Sequence, residues 1–106
     1  MFDAVAFAGG GNRCYWQGGF WEAAAGPLGW RPRLVVGVSA GAWAACYSLL
    51  GRGAEVNARV AEGCAGRTRN FEWRDWRSGR SPWPVAGLYR ALMETVLDED
   101  AFARLR

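Results

Sequence analysis

The stretch Leu34-Val35-Val36-Gly37-Val38-Ser39-Ala40-Gly41 joins a β-branched run to a G-x-S-x-G pentapeptide. A β-branched run of this length predicts a buried strand, and the glycines on both sides of the serine permit a sharp turn from that strand into a helix. The hydroxyl in such a nucleophile elbow is exposed, at a helix end whose free amides and dipole favour negative charge. The sequence therefore predicts Ser39 as a nucleophile, held in an elbow by Gly37, Val38, Ala40 and Gly41.

A second glycine-rich turn lies upstream, where Gly9-Gly10-Gly11-Asn12-Arg13 follows the short apolar run from Phe2 to Ala8. Consecutive glycines let backbone N–H groups approach a ligand closely, and an oxyanion hole requires such donors. The distance to the elbow leaves room for one helix, so both loops are expected at the carboxyl ends of adjacent parallel strands. The glycine loop and the elbow are therefore predicted to face one site.

The rest of the chain reads mainly as helix. Helices are predicted from Cys14 to Ala25 and from Ala54 to Ala65, and the uncharged segment from Ala40 to Leu50 predicts a buried helix. Strand, loop, helix, strand, turn and helix make a βαβα unit with parallel strands. A further amphipathic helix is indicated by an apolar stripe at helical spacing, which we interpret as core packing: Val85, Leu88, Tyr89, Leu92, Met93, Val96 and Leu97.

The composition excludes several classes of site. The 106 residues contain no histidine, and all thirteen basic residues are arginine, so a serine-histidine triad and a P-loop lysine are both absent. Cys14 occupies the sixth position counted from Gly9, which breaks a dinucleotide fingerprint. The three cysteines show no C-x-x-C spacing. We expect no metal, no organic cofactor and no nucleotide. Ser39 is then either activated by a carboxylate or only part of a tight turn.

The glycine loop and the elbow together resemble the patatin-like phospholipase family, from Ala8 through Gly18 to Ala42 and more loosely to Leu105. The resemblance implies a partial patatin-like three-layer α/β fold, with the N-terminal βαβα portion followed by further helices. It also implies an acyl hydrolase acting on lipid or ester substrates, with a serine-aspartate dyad in which Ser39 is the nucleophile. The residues expected to stabilise the oxyanion or bind the substrate are Gly9, Gly10, Gly11, Asn12 and Arg13.

The sequence departs from the family pattern at two places. Cys14 stands where the family usually has glycine, which is expected to reshape the loop without removing its donors. The family's aspartate belongs to a later Asp-Gly motif, and the chain has no Asp-Gly. None of the aspartates is assigned as the base: Asp3, Asp75, Asp98 and Asp100. Residues 1–106 are therefore expected to be the N-terminal part of a patatin-like hydrolase domain, inactive alone. The alternative is a catalytically silent domain that binds a membrane surface or a protein partner.

The segment Gly66–Pro84 mixes aromatic residues with arginines and has a net charge of +3, equal to that of the whole chain. Indole rings and cations both suit the headgroup region of a membrane. The favoured interpretation is a solvated loop whose tryptophans fold back onto the domain. The alternative is peripheral membrane contact, which the serine elbow favours over stacking on nucleic acid, and no nucleic acid is expected. The N-terminus lacks the features of a signal peptide, and a turn divides the uncharged run Leu34–Leu50, so a cytoplasmic or peripheral membrane location is expected.

Overall fold

The computed structural model describes residues 2–106 and contains two strands and six helices in that range. A 3-10 turn, Gly11–Cys14, comes directly before the first helix. The strands are β1 (Ala4–Phe7) and β2 (Leu34–Gly37), and the helices are α1 (Tyr15–Ala24), α2 (Ala40–Leu49), α3 (Gly53–Cys64), α4 (Trp73–Arg77), α5 (Ala86–Val96) and α6 (Glu99–Leu105).

The two strands form a parallel sheet, as the sequence predicted. Their register pairs Ala4 with Leu34 and Phe7 with Gly37. The carboxyl ends of β1 and β2 therefore lie side by side, and the glycine loop and the elbow both leave the sheet from this edge. Parallel pairing requires a crossover between the strands, which α1 supplies.

Helix α2 is the centre of the core. Tyr47 is fully buried and Ala44 is only 1% exposed, and no charged residue occurs anywhere in the helix. An all-apolar helix is stable in water only when other elements surround it. α1, α3 and both strands pack against α2, and the prediction of a buried helix is confirmed.

The amphipathic stripe of the sequence forms α5, and most of it packs as expected. Leu92 and Val96 are buried in the core, whereas Met93 is 39% exposed. Met93 lies on the edge of the stripe, where it borders a cavity described below. The next helix, α6, begins at Asp98, whose carboxylate accepts a hydrogen bond from the Ala101 amide at 2.8 Å, as expected of a helix cap.

One face of the sheet is left open by the described residues. Val5 and Val35 pack against the core, whereas the side chains that alternate with them, Leu34 and Val36, are 57% and 47% exposed. Side chains alternate between the faces of a strand, so the exposed positions share one side. Within residues 2–106, helices therefore cover one face of the sheet and leave the other face exposed.

The tryptophans of the segment Gly66–Pro84 do not fold back onto the domain, so that interpretation of the sequence is wrong. Trp73, Trp76 and Trp83 are 62%, 56% and 55% exposed. They pack on one another through Phe71, whose ring centroid lies 5.2 Å from that of Trp73 and 5.4 Å from that of Trp83. The Glu72 amide donates to the Pro82 carbonyl at 2.9 Å and closes the segment into a loop.

The uncharged run Leu34–Leu50 is divided between β2 and α2, as expected from the turn at Ser39. No helix among residues 2–106 combines the length and the apolar character that crossing a bilayer requires.

Candidate active site

Ser39 sits in a backbone conformation that L-residues rarely adopt. Its φ is 53° and its ψ is −127°, and it is the one non-glycine residue with positive φ in the described chain. Such a conformation costs on the order of 1–3 kcal/mol and persists only where surrounding contacts impose it. Ser39 is the N-cap residue of α2, yet its hydroxyl caps no amide. Ser39 is exposed, and its hydroxyl makes no hydrogen bond to the helix it begins.

The two elbow glycines are required by close backbone packing. A Cβ atom on Gly37 would lie 2.5 Å from the Cα of Ala42, and one on Gly41 would collide with the carbonyl oxygens of Phe7 and Ala8. Real Cβ contacts are not this short, so a side chain at Gly37 would push α2 away from β2, and one at Gly41 would push it away from β1. Because α2 starts against the end of β1, Ser39 is held at the carboxyl edge of the sheet.

The glycine loop lies directly beside the elbow. A Cβ atom on Gly9 would lie 3.2 Å from the Val38 carbonyl oxygen and 3.5 Å from the Cβ of Ser39. Within residues 2–106, the amides of Gly9, Gly10 and Gly11 donate to no acceptor, and neither does the Ala40 amide. The structure thus brings the two predicted loops together and leaves several backbone donors free around the serine.

Side chains that the sequence analysis did not single out hold the glycine loop in place. The amide of Gln17 bonds both main-chain groups of Ala8, donating to its carbonyl and accepting from its N–H at 2.8 Å each. The buried Cys14 thiol donates to the same carbonyl at 3.1 Å. Cys14 thus lies under the loop and bonds none of the free glycine amides. Gln17 could have been singled out from the sequence, because it is the one polar amide in the otherwise apolar first half of α1.

Asn12 and Arg13 have different surroundings. The Asn12 side-chain oxygen accepts a hydrogen bond from the Tyr89 hydroxyl, which ties the glycine loop to α5. The Arg13 amide donates to the Gly10 carbonyl at 3.3 Å, while its guanidinium is exposed and forms no ion pair within residues 2–106. No sequence pattern links Asn12 to Tyr89, because they are 77 positions apart.

A cavity of about 180 Å³ opens between the glycine loop, the start of α2 and α5. Its wall is apolar and aromatic, and Tyr15 stacks at 6.3 Å on Tyr47 and at 6.0 Å on Tyr89. The residues around the cavity are Gly11, Asn12, Cys14, Tyr15, Ala40, Trp43, Ala44, Tyr47, Tyr89 and Met93.

The three tyrosines of the cavity wall keep their hydroxyl protons more tightly than an exposed tyrosine does. Burial raises the pKa of Tyr47 to about 12 and raises the pKa of Tyr15 and Tyr89 above their usual range. Two buried donors, the Trp43 indole N–H and the Tyr47 hydroxyl, have no hydrogen-bond partner in the described chain. The Tyr47 hydroxyl lies close to Gly18 of α1, which does not line the cavity, so the ring of Tyr47 is its contribution to the wall.

Several carboxylates of the described chain have partners away from Ser39. Asp75 forms an ion pair with Arg80 at 2.6 Å, and Asp98 caps α6. Glu22 accepts from the Gly53 amide at 3.2 Å, and Asp100 is exposed in the first turn of α6. Among residues 2–106, no carboxylate forms a hydrogen bond with Ser39.

No group of histidine, cysteine, aspartate or glutamate side chains in the described chain is arranged to hold a metal ion. The three cysteines are separate thiols. The free backbone amides, the exposed serine and the apolar cavity are therefore the chemical features of this edge of the sheet.

Comparison with known proteins identifies one family whose model matches this chain. A family model described as patatin-like phospholipase matches residues 5–106, a range that includes the glycine loop, the elbow and all six helices. No curated protein and no solved structure matches the chain. The mixed α/β fold with its two parallel strands agrees with part of the patatin-like fold, and the resemblance stated from the sequence is confirmed: the chain belongs to the patatin-like phospholipase family, a family of lipid acyl hydrolases.

Proposed function

We propose that the chain provides the nucleophile and the oxyanion-stabilising loop of a serine acyl hydrolase that acts on lipid or ester substrates. The observation that carries this proposal is the strained, exposed Ser39 beside a loop with free amides. Strain at a reactive residue indicates a position maintained for function. The family membership supports the substrate class.

In the proposed reaction the Ser39 oxygen attacks the ester carbonyl, and the carbonyl electron pair moves onto the oxygen. The serine proton passes to a carboxylate base. The amides of Gly9, Gly10 and Gly11, with that of Ala40 at the start of α2, have no acceptor within residues 2–106, and free donors of this kind stabilise the oxyanion. Collapse of the intermediate breaks the bond to the alcohol oxygen, which takes the proton. Water then hydrolyses the acyl-enzyme.

We place the dyad aspartate outside residues 1–106. The basis is that Asp75, Asp98 and Glu22 each have another partner and that no Asp-Gly occurs in the sequence. On this proposal residues 1–106 are the N-terminal part of a patatin-like hydrolase domain. The 106-residue chain alone has the nucleophile and the amide donors but not the base, and we expect no turnover from it.

We further propose that the segment Gly66–Pro84 contacts the membrane surface that holds the substrate. The exposed indoles of the segment support this proposal, since such rings settle at the interface between hydrocarbon and water. The same segment carries five arginines. Of these five, only Arg80 forms an ion pair within residues 2–106, and Arg67 donates to the Gly63 carbonyl at 2.9 Å. The guanidinium groups of Arg69, Arg74 and Arg77 are therefore available to lipid phosphates.

A second candidate function follows from the lack of a base near Ser39. A catalytically silent domain would keep the fold and bind a membrane surface or a protein partner through the exposed aromatic segment. The two candidates differ in turnover, because only the hydrolase requires the Ser39 hydroxyl.

The test compares ester hydrolysis by the 106-residue chain with that by a polypeptide in which the same chain continues through an Asp-Gly motif. A short-chain nitrophenyl ester is the substrate, and Ser39→Ala is the control in both polypeptides. We expect turnover from the longer polypeptide only, with loss to background in Ser39→Ala.

Two results would contradict the proposal. Turnover by the 106-residue chain that depends on Ser39 would place the base within it. Turnover by the longer polypeptide that survives Ser39→Ala would remove Ser39 from the reaction and favour the silent-domain alternative for this part of the chain.

A further inference from the structure

The cavity beside the glycine loop has the position expected of a pocket for part of the substrate. Gly11 and Asn12 border it on one side and Ala40 on another, so it opens beside both the free amides and the residue after Ser39. The cavity is therefore the candidate site for the part of a substrate that extends from a carbonyl carbon at Ser39.

We propose that this cavity binds the acyl chain of the substrate and limits it to a short chain, of about four to six carbon atoms. Its volume is about 180 Å³, and an apolar protein cavity of about 150 Å³ takes up one benzene molecule, with six carbons. A hexanoyl chain thus fills the space, and a decanoyl chain exceeds it. The inference rests on the proposed acyl hydrolase function and adds the chain length.

The lining supports a hydrocarbon occupant. Tyr15, Tyr47 and Trp43 present ring surfaces, and Ala44 and Met93 present aliphatic groups. The tyrosine hydroxyls are neutral, since burial raises their pKa. A charged head is therefore excluded from the cavity and remains at the glycine amides, while apolar carbon enters.

The walls also favour a closed end over an extended channel. Ala44 and Tyr47 are 1% and 0% exposed, and the Tyr47 ring packs against those of Tyr15 and Trp43, with centroids 6.3 and 5.1 Å away. Forcing more carbon into a packed core requires side chains to leave their preferred rotamers. Met93 forms the exposed border of the cavity. A smaller residue at this position would therefore let a longer acyl chain extend from the cavity into solvent.

The binding test needs no catalysis. In the ¹⁵N-labelled 106-residue chain, sodium hexanoate and sodium decanoate are titrated as monomers, and the signals of the Gly11 amide and the Trp43 indole N–H are followed by NMR. Trp43→Phe identifies that indole signal among the seven tryptophans. We expect hexanoate to shift both signals and to bind about ten times more tightly than decanoate.

Substitutions at Met93 then locate the binding site. Met93→Trp should fill the border of the cavity and remove hexanoate binding, whereas Met93→Ala should bring decanoate binding to within about twofold of hexanoate. The matched control is Thr95→Trp, which adds the same ring to an exposed position of α5 away from the cavity and should leave hexanoate binding unchanged.

The outcomes separate this inference from the proposed function. Hexanoate that shifts neither signal, or decanoate that shifts both with equal affinity, overturns the short-chain pocket. If the longer polypeptide hydrolyses nitrophenyl esters with no preference between hexanoate and decanoate, the pocket is also overturned while the hydrolase stands. If hexanoate binds as described but no ester is hydrolysed, the pocket stands and the hydrolase fails.

Discussion

The loop around Ser39 and the segment Gly66–Pro84 both expose reactive or apolar groups, but they are held in different ways. At Ser39 the backbone is strained and fixed by the close packing of α2 against both strands, since neither Gly37 nor Gly41 has room for a Cβ atom. In Gly66–Pro84 the aromatic rings contact one another, and no glycine of the segment has a neighbour within 4 Å of its Cβ position. The first region is positioned by the core, and the second is free to meet an external surface.

The largest expected effect is on packing at the elbow. Gly41→Ala would drive a methyl group into the carbonyl oxygens of Phe7 and Ala8, and separating α2 from β1 should lower the free energy of unfolding by about 3 kcal/mol or prevent folding. Chemical denaturation followed by circular dichroism measures the change.

Gly87→Ala is the matched control, because a Cβ atom at Gly87 meets nothing within 4 Å and the residue lies in α5. We expect it to stabilise the chain by about 0.5–1 kcal/mol, as alanine is the better helix former. Equal stability of the two alanine variants would show that the elbow is not packed as described and would remove the contrast between the two regions.

A smaller effect is expected from relieving the strain at Ser39. Glycine accepts positive φ without cost, so Ser39→Gly should raise the free energy of unfolding by about 1 kcal/mol. Ser39→Ala keeps a Cβ atom in the same conformation and should give no such gain. In the other region Ser78→Gly should be destabilising or neutral, since Ser78 has an ordinary φ of −94°. Destabilisation by Ser39→Gly would mean that the strain is absent.

The smallest effect on stability is expected at the exposed aromatic residues. Trp73→Ala should change the free energy of unfolding by about 0.5 kcal/mol or less, yet weaken binding to vesicles that contain anionic lipid by about fivefold or more. Trp16→Ala is the control, because Trp16 is 68% exposed but lies on α1, outside the arginine-rich segment. Equal loss of vesicle binding in both variants would indicate a general effect of exposed indoles.

Local patterns in the sequence predicted much of the fold. The β-branched run before Ser39, the uncharged helix after it and the stripe in α5 each correspond to an element of the structure. These patterns are visible because strands and helices impose short repeats on neighbouring residues. The parallel pairing followed from the single helix between the two loops.

Contacts between distant residues could not be predicted in this way. The bond from Tyr89 to Asn12 and the bidentate bond of Gln17 to Ala8 depend on how α1 and α5 pack, which no local repeat specifies. The tryptophans of Gly66–Pro84 were expected to cover the domain, and they are exposed instead, because composition alone does not specify which rings pack together. The direction of the Ser39 backbone is likewise a consequence of tertiary packing.

The central claim is that Ser39 is an activated nucleophile, and covalent labelling tests it most directly. The polypeptide that continues through an Asp-Gly motif is treated with a fluorophosphonate, digested and mapped by mass spectrometry. The account predicts a single modified serine, Ser39, and no labelling in Ser39→Ala. Labelling of Ser48, Ser78 or Ser81, or undiminished labelling of the Ser39→Ala variant, would contradict it.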